Sequence, residues 1–444
     1  MTVARTICLG FLAVIAVGTI LLMMPFSTSN GTWNDLIVAL FTSTSAVCVT
    51  GLSVVDIGTY FSFWGQLLIL VLMQIGGLGY MTATTFLLLL LGRKFNLRDK
   101  VALQQALDNR GIHGGAQLVR SIIATTLIFE ITGVFLILPV FVPDYGFYQG
   151  LWLSIFHSVS AWTNGSFSLL KDSFIHYQSS VLLNLVISGL IIFGGIGYEV
   201  ILEFYLWVGD RKNKKPGRFL FSLNFKVATS TALMLLMIGT IAFVLAEYKN
   251  HATFGSLSFG NKLMAAFFLS VSTRTSGFNT IDIGKMNQAS LFIAIALMFI
   301  GGSPGSMAGG IKTTTLRVLT SCTKTILQGK EQVLMYRRQI PISLILKAVG
   351  VAVGSLGAVM LATILIALTD LELSFLQILF EVVSAFATVG LSTGITAILS
   401  APAKLILVFT MYIGRVGVLL FISALTGDSS PSSIEYPEDN LLVG

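Results

Sequence analysis

The residues best equipped for chemistry lie in "FIGGSPGSMAGGIKTTT", Phe299 to Thr315. A glycine run ending on a lysine and threonines could wrap a nucleotide phosphate in backbone amides and reach magnesium through a hydroxyl. That chemistry needs G-x-x-x-x-G-K-[ST] after a buried strand. Gly305 and Gly310 have the separation, but Ile311 stands at the lysine position and Lys312 comes one residue late. The preceding "ASLFIAIALM" reads as a membrane helix. The stretch therefore fails as a phosphate loop. A second option pairs His157 with Ser303 as base and nucleophile of an intramembrane protease, but His157 sits just before a segment that recurs elsewhere in the chain. Cys8, Cys48 and Cys322 are scattered, as are His113, His157, His176 and His251, so neither a disulfide framework nor a zinc pattern is present.

The elements that must position these residues are membrane helices. The chain is 55% hydrophobic and 11% charged, with a mean hydropathy of +0.87, against about 25% charged residues in soluble proteins. Apolar runs such as 11–24, 182–193, 233–246 and 356–368 reach, with their flanks, the roughly 20 residues of a bilayer span. The first run continues to Met24 without a clean small-residue cleavage site, so it reads as a span and not a signal peptide. The net charge of +7 is concentrated in "GRKFNLRDK", "DRKNKKPGR" and "KTILQGKEQVLMYRR", while "STSNGTWND" and "ALTDLELS" lack lysine and arginine. Positive charge prefers the cytoplasmic side. The basic connectors and the N-terminus are therefore expected inside a multi-pass plasma-membrane protein. This distribution argues for topology and against nucleic acid.

A repeat organises the chain. "SAVCVTGLS" (45–53), "SAWTNGSFS" (160–168), "VSTRTSGFN" (271–279) and "SAFATVGLS" (384–392) align without gaps, each after a short amphipathic stretch. A second set follows: "QIGGLGY" (74–80), "IFGGIGY" (192–198), "FIGGSPG" (299–305) and "YIGRVGV" (412–418). The unit is span, short helix, glycine loop, span. Short helices of this length suit half-membrane re-entry, and the loops' free carbonyls are tolerable only against protein or a water-filled cavity. Rings of carbonyls replace the hydration shell of potassium, and the helix C-termini favour a cation. The expected filter is Val49, Thr50 and Gly51; Asn164, Gly165 and Ser166; Thr275, Ser276 and Gly277; and Thr388, Val389 and Gly390. Tight turns or packing glycines are the alternative reading.

"SAVCVTGLSVVD", "STRTSGFN", "FATVGLSTG", "GGSPGSMAGGIKTTT" and "MYIGRVG" resemble signatures of the Trk/Ktr/HKT potassium-transporter superfamily, and most closely the bacterial Ktr membrane subunits; the resemblance covers essentially the whole chain. It implies an all-α membrane protein of four M1–P–M2 repeats, eight spans and four re-entrant pore helices, in pseudo-fourfold arrangement around one pore. The repeats would run 1–110, 111–216, 217–340 and 341–427, followed by a tail at 428–444. It also implies potassium uptake by a homodimer under a cytosolic nucleotide-binding (RCK-type) ring, with sodium as a candidate activator and no cofactor in this chain. The connectors are too short to hold such a ring's domains, so it would be a separate protein; the tail reads as either disordered or docked at the dimer interface, and the resemblance favours docking. In the family's pattern glycine often stands where Ser166 stands, with Gly165 displaced. This bears on selectivity and keeps a less selective sodium/potassium transporter, or a coupled symporter, as the alternative.

The resemblance also explains the opening stretch. A helix containing Gly301, Gly302, Ser303, Pro304, Gly305, Ser306, Gly309 and Gly310 should come apart, since proline alone costs about 3 kcal/mol. The matching family segment is an intramembrane gate, a role carried here to Gly301–Lys312. Lys312 is expected near the cytoplasmic exit, repelling cations or anchoring the loop through a carboxylate. Arg415 replaces a glycine of "IGRVG"; an arginine at mid-membrane depth is costly and should face protein or pore, so it is expected beside the gate. Arg274 is expected to buttress the third loop. Glu130 and Glu381 are further intramembrane charges, with pairing to Arg274 or Arg415 as the expectation.

Overall fold

The computed structural model describes residues 3–79, 115–212, 219–255 and 257–426. The basic connector near residue 95, most of that near 213, the boundaries 110/111 and 216/217 and the tail at 428–444 lie outside the described residues. The chain is built from helices: α1 (Val3–Met23), α2 (Leu36–Val47), α3 (Phe63–Leu78), α4 (Gly115–Trp162), α5 (Val181–Ile196), α6 (Tyr198–Lys212), α7 (Leu223–Glu247), α8 (Phe259–Ser272), α9 (Gln288–Phe299), α10 (Thr313–Leu327), α11 (Ile342–Thr369), α12 (Phe375–Phe386), α13 (Ala401–Val416) and α14 (Val418–Thr426).

Among the described residues four helical stretches are long and apolar enough to cross a membrane: Ala4–Met23, Val119–Trp162, Leu223–Glu247 and Ile342–Thr369. The second is two helices. Gly146 takes φ 74° and ψ 172° and breaks α4 into a span (115–145) and a short helix (147–162). Two further pairs pass the same test as bent units, α5 with α6 (103°) and α13 with α14 (95°). The short apolar helices α2, α8 and α12 have 12, 14 and 12 residues. At 1.5 Å per residue these reach only about 20 Å, short of the roughly 30 Å hydrocarbon core. Their start points are written in the sequence as N-caps. Asp35 accepts from the amides of Ile37 and Val38, Ser258 from Asn261 and Ser374 from Gln377, which satisfies donors that the first helical turn leaves free.

Polar ties close the loops between the long helices and the next span. At the end of α7, buried Glu247 accepts from the Asn287 amide (2.9 Å), which caps α9, and from Asn250 Nδ2 (2.7 Å). At the end of α11, Asp370 does the same for α13, accepting from the Ser400 amide (2.9 Å) and hydroxyl (2.7 Å). A two-stranded hairpin, β1 (Leu334–Met335) with β2 (Arg338–Gln339), follows α10. It packs Val333, Met335 and Ile340 against Val227 of α7.

Burial pushes the Asp370 carboxyl up, but the hydrogen bonds from Ser400 and Thr369, helped by the Lys404 ammonium, outweigh it and hold the group below the usual carboxylate range. A depressed folded pKa adds stability above the unfolded value and loses it as pH falls through the folded one. Asp370→Asn is therefore expected to lower the melting temperature of the detergent-solubilised protein by a few degrees at neutral pH. The gap to wild type should close below about pH 4. A pH-independent gap would count against the carboxylate's role.

Candidate functional site

The short helices α2, 147–162, α8 and α12 all end in the same backbone turn. The fifth residue of each aligned segment is left-handed: Val49 (φ 57°), Asn164 (57°), Thr275 (70°) and Thr388 (52°). In three of the turns the next amide closes five residues back, Thr50 to Ser45 (2.7 Å), Gly165 to Ser160 (2.7 Å) and Val389 to Ser384 (2.8 Å); in the third segment Ser276 reaches Ser272 (3.0 Å). β-branched residues in this region are genuine outliers, and such strain, roughly 1–3 kcal/mol each, persists where surrounding structure imposes it and clusters at functional sites.

Two residues further on, the four loops meet. A Cβ on Gly51 would lie 2.1 Å from the Cβ of Ser166, one on Gly390 would lie 2.2 Å from the Thr50 carbonyl, and one on Gly277 would lie 2.3 Å from the Gly390 carbonyl carbon. Only glycine fits at three of the four places. The fourth is Ser166, left-handed at φ 63°. Its hydroxyl donates to the Val389 carbonyl (2.7 Å) and accepts from the Gly277 amide (2.7 Å), joining the second loop to the third and fourth. Asn164 adds a bond from Nδ2 to Thr275 Oγ1 (2.9 Å). The sequence marked Ser166 as standing at a usual glycine position, with a bearing on selectivity; its role as a three-loop bridge was not legible, because the partners are 111 and 223 residues away.

Two buried groups, each three residues before its aligned segment, hold the loops' returning limbs. Glu381 accepts from Ser392 Oγ, the Thr393 amide (3.0 Å) and Thr396 Oγ1 (2.9 Å). His157 bonds Leu153 O through Nδ1 (2.8 Å), which makes Nδ1 the protonated nitrogen. Nε2 then accepts from Ser168 Oγ (3.0 Å) and the Leu169 amide. Ser168 and Ser392 occupy the same column of the alignment. The expected pairing of glutamates with arginines does not form. Glu381 is taken up by its own loop, and Glu130 receives Gln74 Nε2 at 2.7 and 2.8 Å. His157 with Ser303 is no catalytic pair either, since Ser303 bonds Thr313 Oγ1 (3.1 Å).

The second glycine set has two jobs. Its third residue lets a span touch the carbonyl end of a short helix: a Cβ would lie 2.0 Å from Val47 O at Gly76, 2.1 Å from Trp162 O at Gly194 and 1.8 Å from Phe386 O at Gly414. Its sixth residue ends the helix, with Gly79 after α3, Gly197 after α5 and Gly417 after α13 at φ 79°, 99° and 90°. In the third unit both jobs change. α9 stops at Phe299, and a Cβ on Gly301 would lie 2.0 Å from the Gly309 carbonyl of its own loop.

That loop, Gly301–Lys312, folds back so that Gly301 N donates to Ile311 O (2.8 Å) and Thr313 N to Gly302 O (3.1 Å). It docks on the α5–α6 bend through Ser303 N to Gly195 O (2.9 Å), Met307 N to Gly194 O (3.3 Å) and Tyr198 N to Gly305 O (3.1 Å). Within it, Ser306 Oγ donates to Ser303 O (2.6 Å). Pro304 meets the α5–α6 bend, its carbonyl 2.6 Å from where a Cβ on Gly197 would lie, and Gly310 is left-handed at φ 68°. Gly309 lies against the Thr388 side chain of the fourth loop. Arg415 spans the assembly: its guanidinium donates to Met307 O in the loop and to Gly76 O and Gly77 O (3.2 Å) at the end of α3. Arg274 donates to Gly301 O (3.3 Å), so it buttresses the start of this loop. Lys312 Nζ donates to Ala308 O (2.6 Å), a backbone anchor in addition to any carboxylate.

Comparison with known proteins gives this arrangement relatives. The family model described as TrkH, cation transport protein, matches residues 6–430. The chain is 38% identical over 444 residues to the Ktr system potassium uptake protein B of Bacillus subtilis, covering all of this chain and 97% of that protein. It is 35% identical to the potassium/sodium uptake protein NtpJ of Enterococcus hirae, over 99% of this chain and 97% of that one. The crystal structure of the potassium transporter TrkH from Vibrio parahaemolyticus superposes with a TM-score of 0.71 at 17% identity, covering 95% of this chain and 84% of that one.

The glycine contacts predict an asymmetric response to alanine. Gly414→Ala drives a methyl into Phe386 O and should lower the melting temperature by several degrees, since overpacking costs about 1–3 kcal/mol. Gly189→Ala, with nothing within 4 Å of its added Cβ, should leave it nearly unchanged. Equal shifts in the two variants would sink the packing assignment.

Proposed function

The chain belongs to the TrkH family of cation transport proteins, and on that premise we propose that it is the potassium-translocating subunit of a Ktr-type uptake system. The observation that carries this reading is the meeting of four strained loops at Gly51, Ser166, Gly277 and Gly390. Carbonyls of Val49–Gly51, Asn164–Ser166, Thr275–Gly277 and Thr388–Gly390 would replace the hydration shell of the ion. The C-terminal ends of four short helices would add partial negative charge.

In this proposal the loop Gly301–Lys312 is the gate. It lies against the Thr388 end of the filter, and Arg415 latches it to α3 by bonds to carbonyls on both sides. The Arg415 charge beside the pathway also opposes a cation until the latch moves. The N-terminus would be cytoplasmic, the assembly a homodimer in the bilayer, and a separate nucleotide-binding ring would pull on the gate. Sodium enters as an activator or a competing substrate. The second reading, a less selective sodium/potassium transporter, is favoured by one feature, the Ser166 hydroxyl that engages Val389 O within the filter. A relative named for both ions is consistent with it.

The test is potassium and sodium uptake into proteoliposomes. Wild type should take up potassium, and Ser166→Gly, which frees the Val389 carbonyl, should raise potassium over sodium preference several-fold. Absence of cation flux in wild type, with the folded protein present, would overturn the transport reading. An unchanged ratio would remove Ser166 from the filter.

Loosening the gate gives an independent expectation. Deletion of Ser303–Gly309, or Arg415→Ala, should raise basal potassium flux at least several-fold. Unaltered flux in both variants would leave the loop a packing element.

A further inference from the structure

Behind the third loop, a partly open cavity of ≈ 20 Å³ lies between α5 and α7, beside the end of α8. That is room for one water molecule or one monatomic ion. Ile191, Ile196, Leu236 and Val271 are among its apolar walls, backbone at Gly195 and Gly302 contributes to it, and the charged group that lines it is Arg274. Arg274 is nine-tenths buried. Its Nη2 donates to Gly301 O, while Nη1 is buried without a hydrogen-bond partner among the described residues.

A guanidinium held this deep needs a counter-charge or a full set of carbonyl acceptors, and Arg274, unlike Arg415 with its three, has one. The C-terminal end of α8 and the Gly301 carbonyl supply only part of it. Among the described residues the buried glutamates are engaged elsewhere, Glu130 by Gln74, Glu247 by Asn250, Thr253 and Asn287, and Glu381 by Ser392, Thr393 and Thr396. A water molecule would meet the donor on Nη1 but would leave the charge. An anion meets both. The walls select its kind, because each oxygen of a sulfate or phosphate would need its own donor, and aliphatic side chains offer none. We propose that this cavity is a binding site for a single halide-class anion, chloride in the cell, held by Arg274. The anion would offset a positive charge one residue before Thr275, and so would lower the barrier that Arg274 imposes on cations at the third loop. It would also fix the arginine that tethers Gly301, the first residue of the loop.

Crystals of the full chain grown with bromide in place of chloride test this by anomalous scattering. A bromide peak beside Arg274 Nη1 is expected in wild type, retained in Arg274→Lys and lost in Arg274→Met. A wild-type map with water alone at this position overturns the proposal, as do bromide peaks confined to exposed lysines and arginines, which would mark an adventitious ion only. Should Arg274→Met fail to fold, the wild-type map and Arg274→Lys still decide the matter.

Discussion

Every unusual feature of this protein follows from one constraint: a backbone carbonyl at membrane depth must find a donor or face something polar. The short helices α2, 147–162, α8 and α12 all end in one backbone turn, which leaves carbonyls at Val47, Trp162 and Phe386 and in the loops that follow. The span beside each of these three carbonyls carries a glycine where a Cβ would collide with it. Arg415 answers the same need on a larger scale. It gathers Gly76, Gly77 and Met307 carbonyls from two elements that the broken helices leave short of donors.

The loops show how strain is held in place. Left-handed valine and threonine residues are unfavourable alone, yet each is fixed by a closing amide bond, and the returning limb is pinned by His157 or Glu381 in two of the four units. The two pins differ in chemistry, an imidazole accepting through Nε2 and a carboxylate accepting from three residues, but both hold the same alignment column. The units are thus variations on one backbone solution with different side-chain anchors.

The third unit departs from the others for a physical reason. Where the other spans turn at a single left-handed glycine, this one has a run of small residues and a proline, so a twelve-residue loop replaces the end of the helix. Its hydrogen bonds run to α5, to α6 and to its own returning limb. The segment is held mainly by backbone contacts, with Arg415 as a side-chain tie to α13 and Arg274 as one to the end of α8.

Much of this was legible in the sequence. Composition and apolar run length determined a membrane protein, because burial in hydrocarbon demands them. The two glycine sets located the turns, because only small residues permit such approach and strain. Breakers between Gly301 and Gly310 were enough to place a loop there, since no helix tolerates them. Partnership was not legible. The sequence placed Glu130, Glu381, Arg274 and Arg415 in the membrane and suggested that they pair, yet each found uncharged partners. Ser166 looked like a lost glycine and proved to be a bridge across three loops. Arg415 and Ser166 bond residues more than a hundred positions away, and even the nearer partners of Glu130 and Arg274, 56 and 27 positions off, depend on which elements pack together, which only the tertiary structure decides.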